Sequence, residues 1–196
     1  TRDETGAHRR RLPQEERTHM RKTLFAGLLA AAAATAAPAA LADHHEGMDE
    51  HDAHRIQHGL IGSDFPIARA VEVPPGVQLV YHSGMTPRPA NPEAERYSAE
   101  FWGDTKTQAL SVFARMEESL DDLGLSFDDI VKMTVFLVPV EETGRMDFGG
   151  FMEAYTQYFG ADAGRMNLPA RSAVGVAQLA APGMLVEVEA IYARPE

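Results

Sequence analysis

Between two stretches of helical periodicity lies Ile130 to Val138, a run that is apolar and largely β-branched apart from Lys132 and Thr134. A run this short and this apolar reads as a buried strand, and Pro139 stops it. A buried strand needs neighbours on both sides and cover on at least one face. The flanking residues supply both.

Upstream, Asp104 reads as an N-cap, and Ala109, Phe113, Met116, Leu120 and Leu123 recur at three- and four-residue steps until Gly124. Ser126 to Asp129 reads as a short capped turn. Downstream, a second helix is predicted from about Asp147 to Phe159, with Phe148, Phe151, Met152, Tyr155 and Phe159 on one face and Gly160 closing it. That aromatic stripe reads as core packing. Ala68 to Val73 and Val77 to His82, joined by Pro74-Pro75-Gly76, read as a hairpin that Ser83-Gly84 breaks. Met85 to Arg96 then reads as a loop and a candidate pocket wall. Ser172 to Gln178 and Leu185 to Ala193 read as the last two strands. The order is strand, strand, helix, strand, helix, strand, strand. It predicts an α+β domain whose mixed sheet carries both helices on one face. The other face is left bare, with apolar side chains drawn from Val174, Val176, Val186 and Val188 according to register, so oligomerisation is expected to cover it.

The domain is expected to span 61–196, preceded by three segments of other character. Met20-Arg21-Lys22, the alanine- and leucine-rich run from Thr23 to Ala39, and Ala40-Leu41-Ala42 form the three parts of a secretory signal peptide over 20–42. This predicts a periplasmic or secreted protein, with no membrane association after cleavage. Residues 1–19, with Arg9, Arg10 and Arg11, read as upstream leader. Residues 43–60, rich in His and carboxylates, read as a disordered tail that serves as a linker; metal capture by this tail is the lesser reading. The first 42 residues hold seven of the 18 Lys and Arg but four of the 29 Asp and Glu, so the remainder carries a net charge of −14. Such a surface repels phosphate backbones, which speaks against nucleic-acid partners. With no cysteine, thiolate metal sites and cysteine nucleophiles are excluded.

Two residue types near the C-terminus carry candidate chemistry. Arg171 follows Pro169-Ala170, and Val186-Glu187-Val188-Glu189-Ala190 alternates so that both glutamates leave one face of a strand. An arginine on a neighbouring strand could hold a substrate carboxylate in bidentate fashion, beside a glutamate that handles a water proton. The alternative is a structural salt bridge and two solvated carboxylates. No metal or organic cofactor is needed for such a site.

The segments "DDIVKMTVFLV" (128–138), "FMEAYTQYFG" (151–160), "LPARSAVGVAQL" (168–179) and "LVEVEAIYA" (185–193) together resemble the Rid (YjgF) family of reactive intermediate deaminases. The resemblance covers about Ser63 to Arg194. It implies a chorismate-mutase-like fold, a homotrimer with clefts between subunits, and, as in the RidA branch, hydrolysis of small carboxylate-bearing enamines and imines to ketoacids and ammonia (2-iminobutanoate/2-iminopropanoate deaminase activity). By similarity, Arg171 binds the substrate carboxylate, Glu187 orients the attacking water, and Ser83 and Gly84 line the same cleft. Departures are Phe65-Pro66-Ile67 in place of Gly-Pro-Tyr, Met152 in place of an asparagine, and Gly175 in place of a glutamate. These alter the pocket wall while leaving the arginine. The alternatives are a non-catalytic periplasmic small-carboxylate-binding module and, lesser, an endoribonuclease.

Overall fold

The run Ile130–Leu137 lies at the heart of a six-stranded sheet, with partners along both edges. A computed structural model describes residues 54–196. Its elements are β1 (Ile56–Gly59), β2 (Ala68–Glu72), β3 (Gln78–Met85), α1 (Ala99–Trp102), α2 (Thr105–Leu123), β4 (Ile130–Leu137), β5 (Pro139–Val140), β6 (Arg145–Met146), α3 (Phe148–Tyr155), β7 (Ala170–Gly175) and β8 (Val186–Arg194). The main sheet has the order β1-β2-β7-β4-β8-β3. Strand β4 runs parallel to β7 and antiparallel to β8, so the sheet is mixed. The signal-peptide segment and residues 43–53 of the expected tail lie outside the described residues.

Register decides which side chains meet the helices. Met133, Val135 and Leu137 pair with Ala190, Val188 and Val186 of β8, and all six are buried. Over them pack Phe113, Met116 and Leu120 from α2 and Phe151 and Tyr155 from α3, also buried. Each fully buried side chain of this size contributes about 1.5–3 kcal/mol. The aromatic rings interlock, with Phe113 in contact with Phe127, Phe151, Tyr155 and Phe159 at centroid distances of 6.0–6.2 Å. The α+β class and the helical cover on one face are as the sequence predicts.

Helix α2 is bounded as its sequence requires. Asp104 Oδ1 accepts a hydrogen bond from the Thr107 backbone N–H at 2.8 Å, and Gly124 closes the helix in the left-handed region at φ 64°. Bonds from the Thr107 backbone and side chain hold the Asp104 carboxyl below the usual carboxylate range. Asp104→Ala should therefore cost about 1 kcal/mol of unfolding free energy at neutral pH, measured by denaturant titration. Because the folded-state pKa is depressed, the ionised cap contributes above the unfolded value, and the contribution is lost as pH falls through the folded one. The gap between wild type and variant should thus narrow in acid.

The structure departs from the sequence reading in several places. The expected hairpin of β2 and β3 is absent: the Pro74-Pro75-Gly76 turn is present, but β2 pairs with β1 and β3 with β8. Strand β3 matches β8 from Gln78↔Arg194 to Met85↔Val188, a longer pairing than β2 could offer. Ser83-Gly84 does not break β3 but forms an irregularity within it, and Met85 belongs to the strand rather than to the loop. The fold also begins before residue 61. Residues 56–59, assigned to the tail, form β1; Arg55 donates to the Leu168 carbonyl at 2.8 Å, and His54 lies 3.0 Å from Asp129. Strand β7 starts at Ala170, so Arg171 is within it rather than ahead of it. Of the four valines considered for the bare face, Val186 and Val188 are buried under the helices and Val174 is exposed. With Val174 on that face stand Phe136, Ile191 and Tyr81, the last 73% exposed.

Candidate functional site

Strand β7 aligns Arg171 with Met133, whose side chain is buried on the helix-covered face. The guanidinium therefore enters the helical layer at the side of α3. Its carbon sits 4.2 Å from the Tyr155 ring centroid, 5.4 Å from those of Phe65 and Phe151, and 5.6 Å from that of Phe148. One terminal nitrogen, Nη1, donates to Met152 Sδ at 3.3 Å. Burial lowers its pKa, opposed by its interaction with Tyr155.

This is an unusual setting for a cation. Among the described residues no carboxylate pairs with Arg171; Arg115 and Arg194 also lack one but donate to backbone carbonyls, whereas Arg171 meets ring faces and a thioether. Ring faces stabilise a cation by about 0.5–2 kcal/mol each, and a thioether is a weak acceptor. Neither replaces the hydration lost on burial. A planar fork of donors held in place without a counter-ion suits a carboxylate from a ligand.

Tyr155 sets the cage. Its hydroxyl donates to the Pro66 carbonyl at 2.7 Å, which fixes the Phe65-Pro66-Ile67 segment and with it the Phe65 ring over Arg171. Burial pushes the Tyr155 phenol up, beyond the reach of ordinary pH, so it remains a donor. The aromatic stripe of α3 is thus core on one side and cage on the other. Reading it as core alone missed Tyr155, Phe148 and Phe151 as partners of Arg171. Two of the departures from the family pattern, Phe65 and Met152, also touch the guanidinium.

Ser83, Gly84 and Glu187 form a second cluster. Strand β8 places Glu187 opposite Phe136, on the bare face. Its carboxylate lies directly against Gly84: a Cβ at that position would stand 2.0 Å from Glu187 Oε1. His82 braces the irregularity, with Nδ1 2.8 Å from the Ser83 carbonyl and Nε2 3.0 Å from Ser119 Oγ. One neutral tautomer satisfies both, donating to the carbonyl and accepting from the hydroxyl. Glu189, one pleat further, is exposed in a separate groove with Tyr81, Lys132 and Thr134.

The two clusters are not joined within one chain. Arg171 shares the face of Met133 and Val135, while Glu187 shares the opposite face with Phe136 and Thr134. Nor are β7 and β8 neighbours, because β4 lies between them. The arginine and glutamates expected on neighbouring strands instead form two separate clusters on opposite faces of one sheet. Among the described residues, no group of three or more His, Asp or Glu side chains is placed to hold a metal ion.

Comparison with known proteins accounts for most of the described chain. The sequence model of the family described as endoribonuclease L-PSP matches residues 65–193. A RutC family protein of Pyrococcus abyssi is 36% identical over 89 residues, covering 45% of this chain and 61% of that protein. The human 2-iminobutanoate/2-iminopropanoate deaminase is 35% identical over 89 residues, covering 45% of this chain and 57% of that protein. The chain thus spans less than two thirds of the length of either relative. Among solved structures, a Rid family protein from Yersinia pestis superposes with a TM-score of 0.54 at 22% identity, over 72% of this chain and 99% of that one, and so shares the fold.

Proposed function

The chain belongs to the Rid (YjgF) family, and we propose that it hydrolyses small carboxylate-bearing imines and enamines to ketoacids and ammonia in a cleft shared between two copies. The observation that carries this reading is the caged Arg171, which has no carboxylate partner among the described residues, on the face of the sheet opposite Glu187. A second subunit that sets its Ser83, Gly84 and Glu187 against the Arg171 edge of the first completes the site. A closed ring gives every protomer both roles, the family resemblance points to a homotrimer, and such an assembly is the means by which Tyr81, Phe136, Val174 and Ile191 on the bare face would be covered.

The chemical demand is modest. Arg171 holds the substrate carboxylate and fixes the imine carbon in place. Glu187 of the neighbouring copy orients a water and accepts its proton as the oxygen bonds to that carbon. The carbinolamine then collapses: the Glu187 carboxyl returns the proton it took from water to the nitrogen, the C–N bond breaks to release ammonia, and the hydroxyl gives up its proton to Glu187 as the oxygen becomes the ketoacid carbonyl. No cofactor enters these steps.

Export supplies the setting. The 20–42 segment directs the chain to the periplasm, and cleavage after Ala42 releases it from the membrane. The family's description as endoribonuclease is not carried to this chain, because its net charge of −14 past residue 42 opposes a phosphate backbone.

The second reading is a carboxylate-binding module without turnover. It is favoured by Met152, whose sulfur occupies a donor of Arg171 where a polar side chain could have helped place water. An amino-acid oxidase generating imines in the presence of the purified protein separates the two. Faster ammonia release with protein present supports the enzyme; unchanged release with retained ketoacid binding supports the module.

A further inference from the structure

We propose that the cleft selects substrates with bulky apolar side chains, such as the imines of leucine, methionine or phenylalanine, over the two- and three-carbon imino acids; the inference rests on the carboxylate-binding role of Arg171. The surfaces beside the guanidinium are the ground for it. Phe151 and Tyr155 are fully buried beneath Arg171, whereas Phe65 is 39% exposed and Phe148 and Met152 are half-buried. The solvent-facing wall around the anchor is thus two phenyl rings and a thioether. No charged side chain among the described residues pairs with the guanidinium.

The direction of the reacting atoms decides which part of a ligand meets that wall. With its carboxylate on the guanidinium, a 2-imino acid has its imine carbon one bond beyond the carboxyl group. Its nitrogen and the attacking water must turn toward Ser83, Gly84 and Glu187 of the other copy. The side chain therefore turns back across the ring faces, whose centroids stand 5.4 Å and 5.6 Å from the guanidinium carbon at Phe65 and Phe148. A methyl group falls short of both rings and leaves them wet. A side chain of four or more heavy atoms, such as that of leucine, methionine or phenylalanine, covers them. Met152 adds a flexible, polarizable surface that adapts to different shapes.

Each methylene placed in such a pocket changes discrimination by about 10-fold or more where packing is good. Calorimetric titration of the full chain with 4-methyl-2-oxopentanoate and with pyruvate measures the preference without requiring turnover. The branched ketoacid is expected to bind at least about tenfold more tightly. In Phe65→Ser the preference should shrink several-fold, and Met152→Ser, at a half-buried site on the edge of the core, provides an independent check. Equal affinities, tighter binding of pyruvate, or an undiminished preference in both variants would overturn the proposal. Failure of the deaminase reading looks different: neither the alanine- nor the leucine-derived imine is hydrolysed faster, while the ketoacid preference persists.

Discussion

Arg171→Ala is expected to lower kcat/KM for imine hydrolysis by about 10²–10³-fold, since removing one partner of a desolvated, hydrogen-bonded charge pair costs about 2–5 kcal/mol. Stability should change little. The guanidinium has no carboxylate partner among the described residues, so its removal leaves no buried charge unpaired; what it gives up in ring contacts is offset by relief of its own desolvation. Denaturant unfolding separates the two effects. Arg171→Lys should not restore the activity, because an ammonium cannot present the planar fork and sits less favourably among four rings. Activity retained in Arg171→Ala would remove the carboxylate anchor from the mechanism.

Gly84→Ala should lower turnover by about 100-fold while leaving the fold intact, a displacement effect of the size expected for a misplaced catalytic group. The new methyl would stand 2.0 Å from Glu187 Oε1, 2.9 Å from its Cδ and 3.2 Å from its Cγ. These atoms are the mobile end of a long side chain, so the carboxylate swings aside at little cost in stability. The water it orients loses its position. Binding of ketoacids, which depends on Arg171, should weaken much less than kcat falls. A variant with full kcat would show that Glu187 does not act where the geometry places it.

The legible part of the fold was the part set by local chemistry. Asp104, Gly124 and the three- and four-residue spacing of Phe113, Met116 and Leu120 fix α2 because capping and amphipathicity act within a few residues. Alternation likewise separates Glu187 from Val186 and Val188. Partner choice was not legible. Whether β3 joins β2 or β8 depends on which pairing buries more across the whole sheet, and nothing in Val77 to His82 states it. Strand β1 escaped notice because Ile56-Gln57-His58-Gly59 is too short and too polar to stand out from the tail before it.

For the proposed site, the sequence and its family resemblance name the candidate residues, and the topology gives their relation within one chain. Arg171 and Glu187 sit on opposite faces because β4 intervenes and each strand takes its phase from β4, a property of register rather than of composition. The cage was hidden for a different reason. Phe148, Phe151, Met152 and Tyr155 carry the same helical spacing whether they pack on one another or on a cation, and only the position of Arg171 within β7 shows that they do both.

The central claim is that one working site draws Arg171 from one copy and Glu187 from another. Refolding an equal mixture of Arg171→Ala and Glu187→Gln protomers, each inactive alone, tests it most directly. Random assembly gives about one cleft in four with both residues intact, so the mixture should regain about a quarter of wild-type turnover. Activity that stays at the level of the separate variants, in oligomers shown to be mixed, would contradict the shared site.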